Sequence, residues 1–494
     1  MSAPTPHGQT PPSAEPVFSP PSASRGWVGR VFLGVVFAGL LVVFHQFATE
    51  KAARHNTGKN DQGEDLIFEH DQHPYLSVAR KLRDTNFEWV VPRHRMPGYS
   101  LLLAPLFHPD TAHPIDPTGQ DDRRVSDAFF ERGKAFNILL CGAALVGLYF
   151  FCRRWMPRME AFLVTWVFGF LLEIFKAPYV QPEGIFYVTF TVGFVLLIRQ
   201  LIRPTWTNAL LAGVALAVTF ILKSTVLPLI LLFLGCVGLK VLAAILSGAR
   251  RGEGKATLGA GVREVAQAGL VFAVFVVLLS PYLMTTWRLY GSPFWDVHSK
   301  YYMWMDSAEE KVMWRDREIS EPHFKPEPGE EVPSAAKYWR EHHLSEMIDR
   351  PIEGYGKLMP RIILDYGPLH TFLFEFCWWS VIAVALLHWR EVWRAFLAHW
   401  PVALMVVGFF LGYTLLYSWY AAIRVGPRLI LGLALPLLFL CLWFIGRFGG
   451  TVRIPRLGIQ IHDRRLIGTI LLVAAAVFTW QVLDHDLWQI EGGQ

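Results

Sequence analysis

The sequence predicts an all-α polytopic membrane protein, on three observations. Hydrophobic residues make up 53% of the chain and charged residues only 18%. Apolar runs long enough to be membrane helices recur from one end to the other. Lys and Arg collect in every second connection between those runs, the pattern that insertion imposes on a multi-span protein. As a soluble protein, 494 residues would make about three domains. A membrane bundle has no comparable limit on its core, so one integral domain over residues 26–485 is expected.

Residues 1–25 are rich in proline and serine and cannot bury apolar surface, so they read as a disordered tail. Eleven spans follow, near 28–48, 134–152, 159–176, 184–202, 208–222, 226–246, 265–285, 368–387, 399–417, 428–446 and 466–483. Several fall at or below the usual requirement of about 17–25 residues, as broken or re-entrant helices do. The first span has no small-residue cleavage pattern after it and reads as a retained anchor. Residues 486–494 form a C-terminal tail.

With the N-terminus inside, the cytoplasmic connections hold Arg153, Arg154 and Arg158, then Arg199 and Arg203, then Arg250, Arg251, Lys255 and Arg263. Arg390 and Arg394 follow, then Arg447, Arg453, Arg456, Arg464 and Arg465. The two long loops, 49–133 and 286–367, then share the opposite face with the turns 177–183, 223–225 and 418–427. A bacterial inner membrane with a periplasmic active face is the location expected.

The net charge of +5 reports this topology and no grip on nucleic acid. The five cysteines all fall in or beside apolar spans, which gives no disulfide framework and no cysteine metal site. The chain has no Walker loop, no His-Glu-x-x-His and no Gly-x-Ser-x-Gly, so ATP hydrolysis, zinc proteolysis and α/β-hydrolase chemistry lack support.

The first long loop carries the densest chemistry. Glu69-His70-Asp71 precedes Tyr75, Leu76, Ala79 and Leu82, whose spacing predicts an interfacial helix with Asp71 near its start. Arg93-His94-Arg95-Met96-Pro97-Gly98-Tyr99 follows, then an apolar run from Leu101 to Phe107. A carboxylate can take a proton from a hydroxyl, and two guanidinium groups can hold a phosphate, both at a surface where a lipid phosphate presents itself.

These residues resemble the opening of the GT-C glycosyltransferases of the protein O-mannosyltransferase and aminoarabinose-transferase type, often called family 39. The matching pieces are Asp71, Tyr75-Leu76, Ala79, Leu82 and Arg95-Met96-Pro97-Gly98-Tyr99. Gln181-Pro182-Glu183-Gly184 and Gly213 to Lys223-Ser224-Thr225 with Leu227-Pro228 also match. So do Ser280-Pro281-Tyr282 to Tyr290-Gly291 and Gly426-Pro427-Arg428-Leu429. The resemblance covers about residues 28–450, and the order of its motifs is more specific than any one of them. The family often has an Asp-Glu pair in the first loop, whereas here Gln72 follows Asp71 and the nearest second acid is Glu69.

The resemblance implies a GT-C bundle of about eleven helices with two large outer loops carrying interfacial helices. It implies sugar transfer from a polyprenyl-phosphate donor to a glycan, lipid or protein acceptor, with inversion. Asp71 is then the general base, and Arg93, His94, Arg95, Tyr99, Glu183, Lys223 and Arg428 bind substrate. No cofactor is implied. A divalent metal on His70, Asp71, His73 and His94 is the less favoured reading of those side chains. Each residue also has a plain reading: Asp71 as a helix cap, Arg93 and Arg95 as headgroup anchors, Lys223 and Arg428 as snorkelling cations, Glu183 as a cap or a partner of Lys176. The aromatics Trp378, Trp379, Trp419 and Tyr420 read as an interfacial belt.

The second loop holds Tyr301 to Asp306, an acidic proline-rich stretch, and a helix-like segment from Lys337 to Met347, and is expected to cover the site. The competing function is a transporter or flippase of a lipid-linked or anionic substrate. That reading calls for ionisable groups in mid-span and two related halves, whereas the charges here gather at outer ends and no internal repeat is visible.

Overall fold

The computed structural model describes residues 27–54, 71–86, 96–108, 127–250, 254–322, 324–424, 427–454 and 459–484. Apart from one two-stranded antiparallel ribbon, β1 (Thr451–Ile454) with β2 (Ile459–His462), the regular structure in these residues is helical. The chain enters on α1 (Trp27–Arg54) and carries α2 (Gln72–Asp84) and α3 (Pro97–Leu103) in the first long loop. It continues through α4 (Asp127–Cys152) and α5 (Arg158–Phe168), and α5 passes through a π-helical stretch, Gly169–Glu173, into the short α6 (Ile174–Lys176).

Next come α7 (Glu183–Ile202), α8 (Trp206–Leu222), α9 (Leu227–Arg250) and α10 (Gly254–Tyr290). The second long loop holds α11 (Val297–Lys300), α12 (Ala308–Asp316) and α13 (Ala335–Glu341). The chain then runs through α14 (Leu344–Leu387), α15 (Trp389–Ala398), α16 (Trp400–Tyr420), α17 (Ala434–Phe448) and α18 (Asp463–Asp484).

Eight helical stretches among the described residues are long and apolar enough to cross a membrane, and they make the chain a polytopic helical membrane protein. They lie in α1, α4, α7, α9, α10, α16, α17 with its preceding turn, and α18. The other three expected segments are helical in a different form. The run 159–176 changes hydrogen-bond register in the π stretch, and α8 has only 17 residues. The run 368–387 is the end of the 44-residue α14, with its apolar part over Glu375–Leu387.

The apolar pattern explains the packing. Leu231, Val277 and Leu386 point outward, as lipid-facing side chains do, while α8 turns Ala209, Ala212, Gly213 and Leu216 inward. A Cβ on Gly213 would lie 2.8 Å from the Val271 carbonyl oxygen, so α8 and α10 cross at a distance only glycine permits.

The two ends of the bundle are built differently. At one, Arg464 Nε donates to Glu160 at 2.6 Å and His388 Nε2 meets Asp463 at 2.9 Å, beside the ribbon. The other collects the described parts of both long loops, the turn at 177–183 and the ends of α8, α10 and α16.

Candidate functional site

The start of α2 is fixed by its own side chains. Tyr75, Leu76, Ala79 and Leu82 are buried, the face that the spacing predicted, and Val78 is buried beside them. Gln72 is fully buried and its Oε1 accepts from the Val180 N–H at 2.9 Å, which pins the helix to the turn at 177–183. Asp71 precedes it with φ 65° and ψ 20°, a left-handed conformation that Asp tolerates better than most residues. Its carboxylate makes no capping hydrogen bond to α2, so capping is not what holds it there. Backbone strain of this kind clusters at functional positions.

The same turn is held from below by Asn137 of α4. Its Nδ2 donates to the carbonyls of Tyr179 at 2.7 Å and Ala177 at 3.0 Å, and its Oδ1 accepts from the Tyr99 hydroxyl at 2.7 Å. Tyr99 is wholly buried and meets Tyr75 edge-on, with ring centroids 5.5 Å apart. Its hydroxyl is therefore spent on Asn137, and Tyr99 positions the loop from inside. Just before it, Gly98 lies on the end of α8, where a Cβ would come 2.6 Å from the Ile221 carbonyl oxygen. The sequence Pro97-Gly98-Tyr99 thus seats α3 two residues from Lys223.

Glu183 is the first residue of α7 and Lys223 the residue that ends α8. Lys223 Nζ donates to Glu183 Oε1 at 2.8 Å, with the glutamate side chain 5% exposed and the lysine 25%. The ammonium also lies 5.2 Å from the centre of the Phe186 ring. The ion pair reaches across from the start of α7 to the end of the neighbouring helix α8.

Asp71, Tyr99, Glu183 and Lys223 are therefore tied to one small region through the turn at 177–183. Arg428 lies in the 3₁₀ turn Pro427–Leu433, which packs on α7, and its side chain is outside the described residues. Arg93, His94 and Arg95 are outside them too, as are His70 and Glu69. Among the described residues no group of three or more His, Cys, Asp or Glu gathers as metal ligands.

The second loop docks on the same end through Arg350 of α14. Its guanidinium donates to the carbonyls of Met305 at 2.6 Å, Trp419 at 3.1 Å and Met303 at 3.3 Å, and lies 4.7 Å from the Trp419 ring. Trp419 Nε1 donates to the Met303 carbonyl at 2.6 Å, and the Tyr420 hydroxyl meets His298 at 2.7 Å. These two aromatics are loop anchors, not belt residues. The helix expected over Lys337–Met347 is two helices, broken where His342 closes α13 and His343 caps α14. Beside this dock lies an open cavity of about 420 Å³, lined in part by Asp306, Tyr338, His342, Asp349 and Lys357.

Sequence pattern does not single out Asn137 or Glu173, and it marks Gln72 only as the residue standing where the resembling family has its second acid. Glu173 and Lys176 interrupt an otherwise apolar segment, and an ionisable residue there is the signal that marks a site. No family model matches this chain, and no curated protein matches it in sequence.

Proposed function

We propose that this protein is a membrane glycosyltransferase that moves a sugar from a polyprenyl-phosphate donor to a glycan, lipid or protein acceptor at the outer face, with inversion. The observation that carries this reading is the convergence of an uncapped, strained aspartate with a lysine held in reserve on a buried glutamate, at the end bearing both long loops. Asp71 takes the acceptor's proton as the acceptor oxygen bonds to the anomeric carbon. The bond from that carbon to the phosphate oxygen breaks, and the lipid phosphate leaves with the electron pair. Lys223, with Arg93, His94, Arg95 and Arg428, holds that phosphate, where fixed cations in a poorly hydrated place stabilise the developing charge. Glu183 keeps Lys223 in place between turnovers.

On this reading the chain crosses a bacterial inner membrane eleven times, counting the three shorter segments, from a cytoplasmic N-terminus, with the two long loops in the periplasm. The basic connections on the opposite face support that orientation. A transporter or flippase is the second reading, and it draws on the fully buried carboxyl of Glu173 inside the bundle.

The test is transfer from a panel of polyprenyl-phosphate sugars by membranes carrying the wild type or Asp71→Asn, each with and without EDTA. Expected are turnover in the wild type, its loss in the variant with donor binding retained, and no effect of EDTA. Full activity in Asp71→Asn removes the assigned base. No turnover with any donor, together with substrate movement across vesicles, favours the transporter.

A further inference from the structure

Glu173 closes the π-helical stretch Gly169–Glu173, a register change that often sits at functional positions. Its side chain is wholly buried, and neither carboxyl oxygen has a hydrogen-bond partner of normal geometry. The carboxyl lies over the backbone of Gly184, the second residue of α7, so closely that a Cβ there would overlap Oε1. The titratable and charged groups that interact with it are the Cys141 thiol of α4, Glu183 of α7, and Lys176 one turn along its own chain. Glu183 already has Lys223 at 2.8 Å.

Two carboxyls thus share one buried corner, and only one of them is ion-paired at hydrogen-bond distance. The Cys141 thiol is a weak donor and Lys176 makes no ion pair with Glu173 at hydrogen-bond distance, so an ionised carboxylate in so apolar a place is unfavourable, whereas a neutral carboxylic acid is tolerated. We infer that Glu173 is a proton-binding site: it is a neutral acid in the resting protein, and it shares its proton with Glu183 when Lys223 turns away to an anionic phosphate. In that second step the O–H bond breaks at Glu173 and forms at Glu183, so one proton serves two carboxyls as in other buried acid pairs. The second step rests on the glycosyltransferase reading, and the resting proton does not.

Infrared difference spectroscopy of the full-length protein tests both parts. At neutral pH the wild type is expected to show the carbonyl stretch of a protonated carboxylic acid, and Glu173→Gln to lose that one band. Should Glu173→Gln fail to accumulate, Glu173→Asp is expected to shift the same band. A spectrum in which either substitution leaves that region unchanged and alters carboxylate stretches instead overturns the resting proton.

The second step is read by adding a short-chain prenyl phosphate. Binding is expected to shift the band in the wild type and not in Lys223→Met. Binding with the band unmoved overturns the sharing step alone. No binding at all overturns both the sharing step and the assignment of Lys223 to the phosphate, while the resting proton stands on its own band.

Discussion

Glu183 and Lys223, forty positions apart in sequence, join the start of α7 to the end of α8 through a 2.8 Å ion pair whose glutamate is buried and whose lysine is partly exposed. The asymmetry sets the outcome of breaking it. Lys223→Met replaces the ion pair of the buried Glu183 with an apolar side chain, leaving the Glu173 proton to be shared between the two carboxyls, and is expected to cost about 3 kcal/mol. Glu183→Gln is expected to cost less, because the lysine can reach solvent. The double variant should recover most of the loss while remaining inactive in sugar transfer. Thermal unfolding in detergent, run beside the transfer assay, separates the pair's structural role from its chemical one.

Gly98 allows a second prediction. A methyl group there runs into the backbone at Ile221, with nothing flexible on the facing side to move apart from the Ile221 side chain. Gly98→Ala is expected to push α3 off α8 at a cost of about 1–3 kcal/mol, typical of overpacking. It should also weaken the Tyr99–Asn137 hydrogen bond next to it. Gly213→Ala, at the α8–α10 crossing, is expected to destabilise as much without touching donor binding. Unfolding midpoints compared with donor affinity distinguish the two.

The part of the site legible in the sequence is the part that periodicity or end-of-span charge announces. The face of α2 follows from apolar spacing at Tyr75, Leu76, Ala79 and Leu82. Glu183 and Lys223 each announce themselves as charges at the edge of an apolar run, but their pairing is a fact of how α7 and α8 pack, which local pattern does not encode. Tyr99 sits in a recognisable motif, yet its burial depends on Asn137 in another helix. The π stretch ending at Glu173 is a choice of hydrogen-bond register, and composition carries no mark of it. Trp419 resembles a belt residue because a belt tryptophan and an anchor tryptophan have the same sequence context. Only its hydrogen bond to the Met303 carbonyl tells them apart.

Arg350 concentrates the attachment of the second loop in one side chain. Three backbone carbonyls and the Asp306 carboxylate accept from it, and the Tyr338 and Trp419 rings lie 5.0 and 4.7 Å from its guanidinium. A lysine keeps the charge but loses the planar fork and most of those donors. Arg350→Lys is expected to destabilise the protein by about 2–3 kcal/mol, with the cut-off carbonyls as the main cause. Limited proteolysis should then cut between residues 295 and 343 sooner than in the wild type. If that loop covers the site, KM for the acceptor rises while donor binding holds.

Asp296, which caps α11 by accepting from the Ser299 N–H at 3.1 Å, gives the clearest dependence on pH. Burial raises its carboxyl from the ordinary 3.8 to about 6, against the lowering effect of the hydrogen bonds it accepts. Because the folded value lies above the unfolded one, the folded state binds the proton more tightly. The stabilising contribution is therefore complete below the unfolded value and is lost as pH rises through the folded one. The protein is expected to lose on the order of 2 kcal/mol across that window, a figure discounted because part of the side chain is exposed. Asp296→Asn keeps a capping oxygen and cannot ionise, so its unfolding midpoint should stay flatter over the same range. Equal slopes for the two proteins between the two values would assign the pH dependence to other groups.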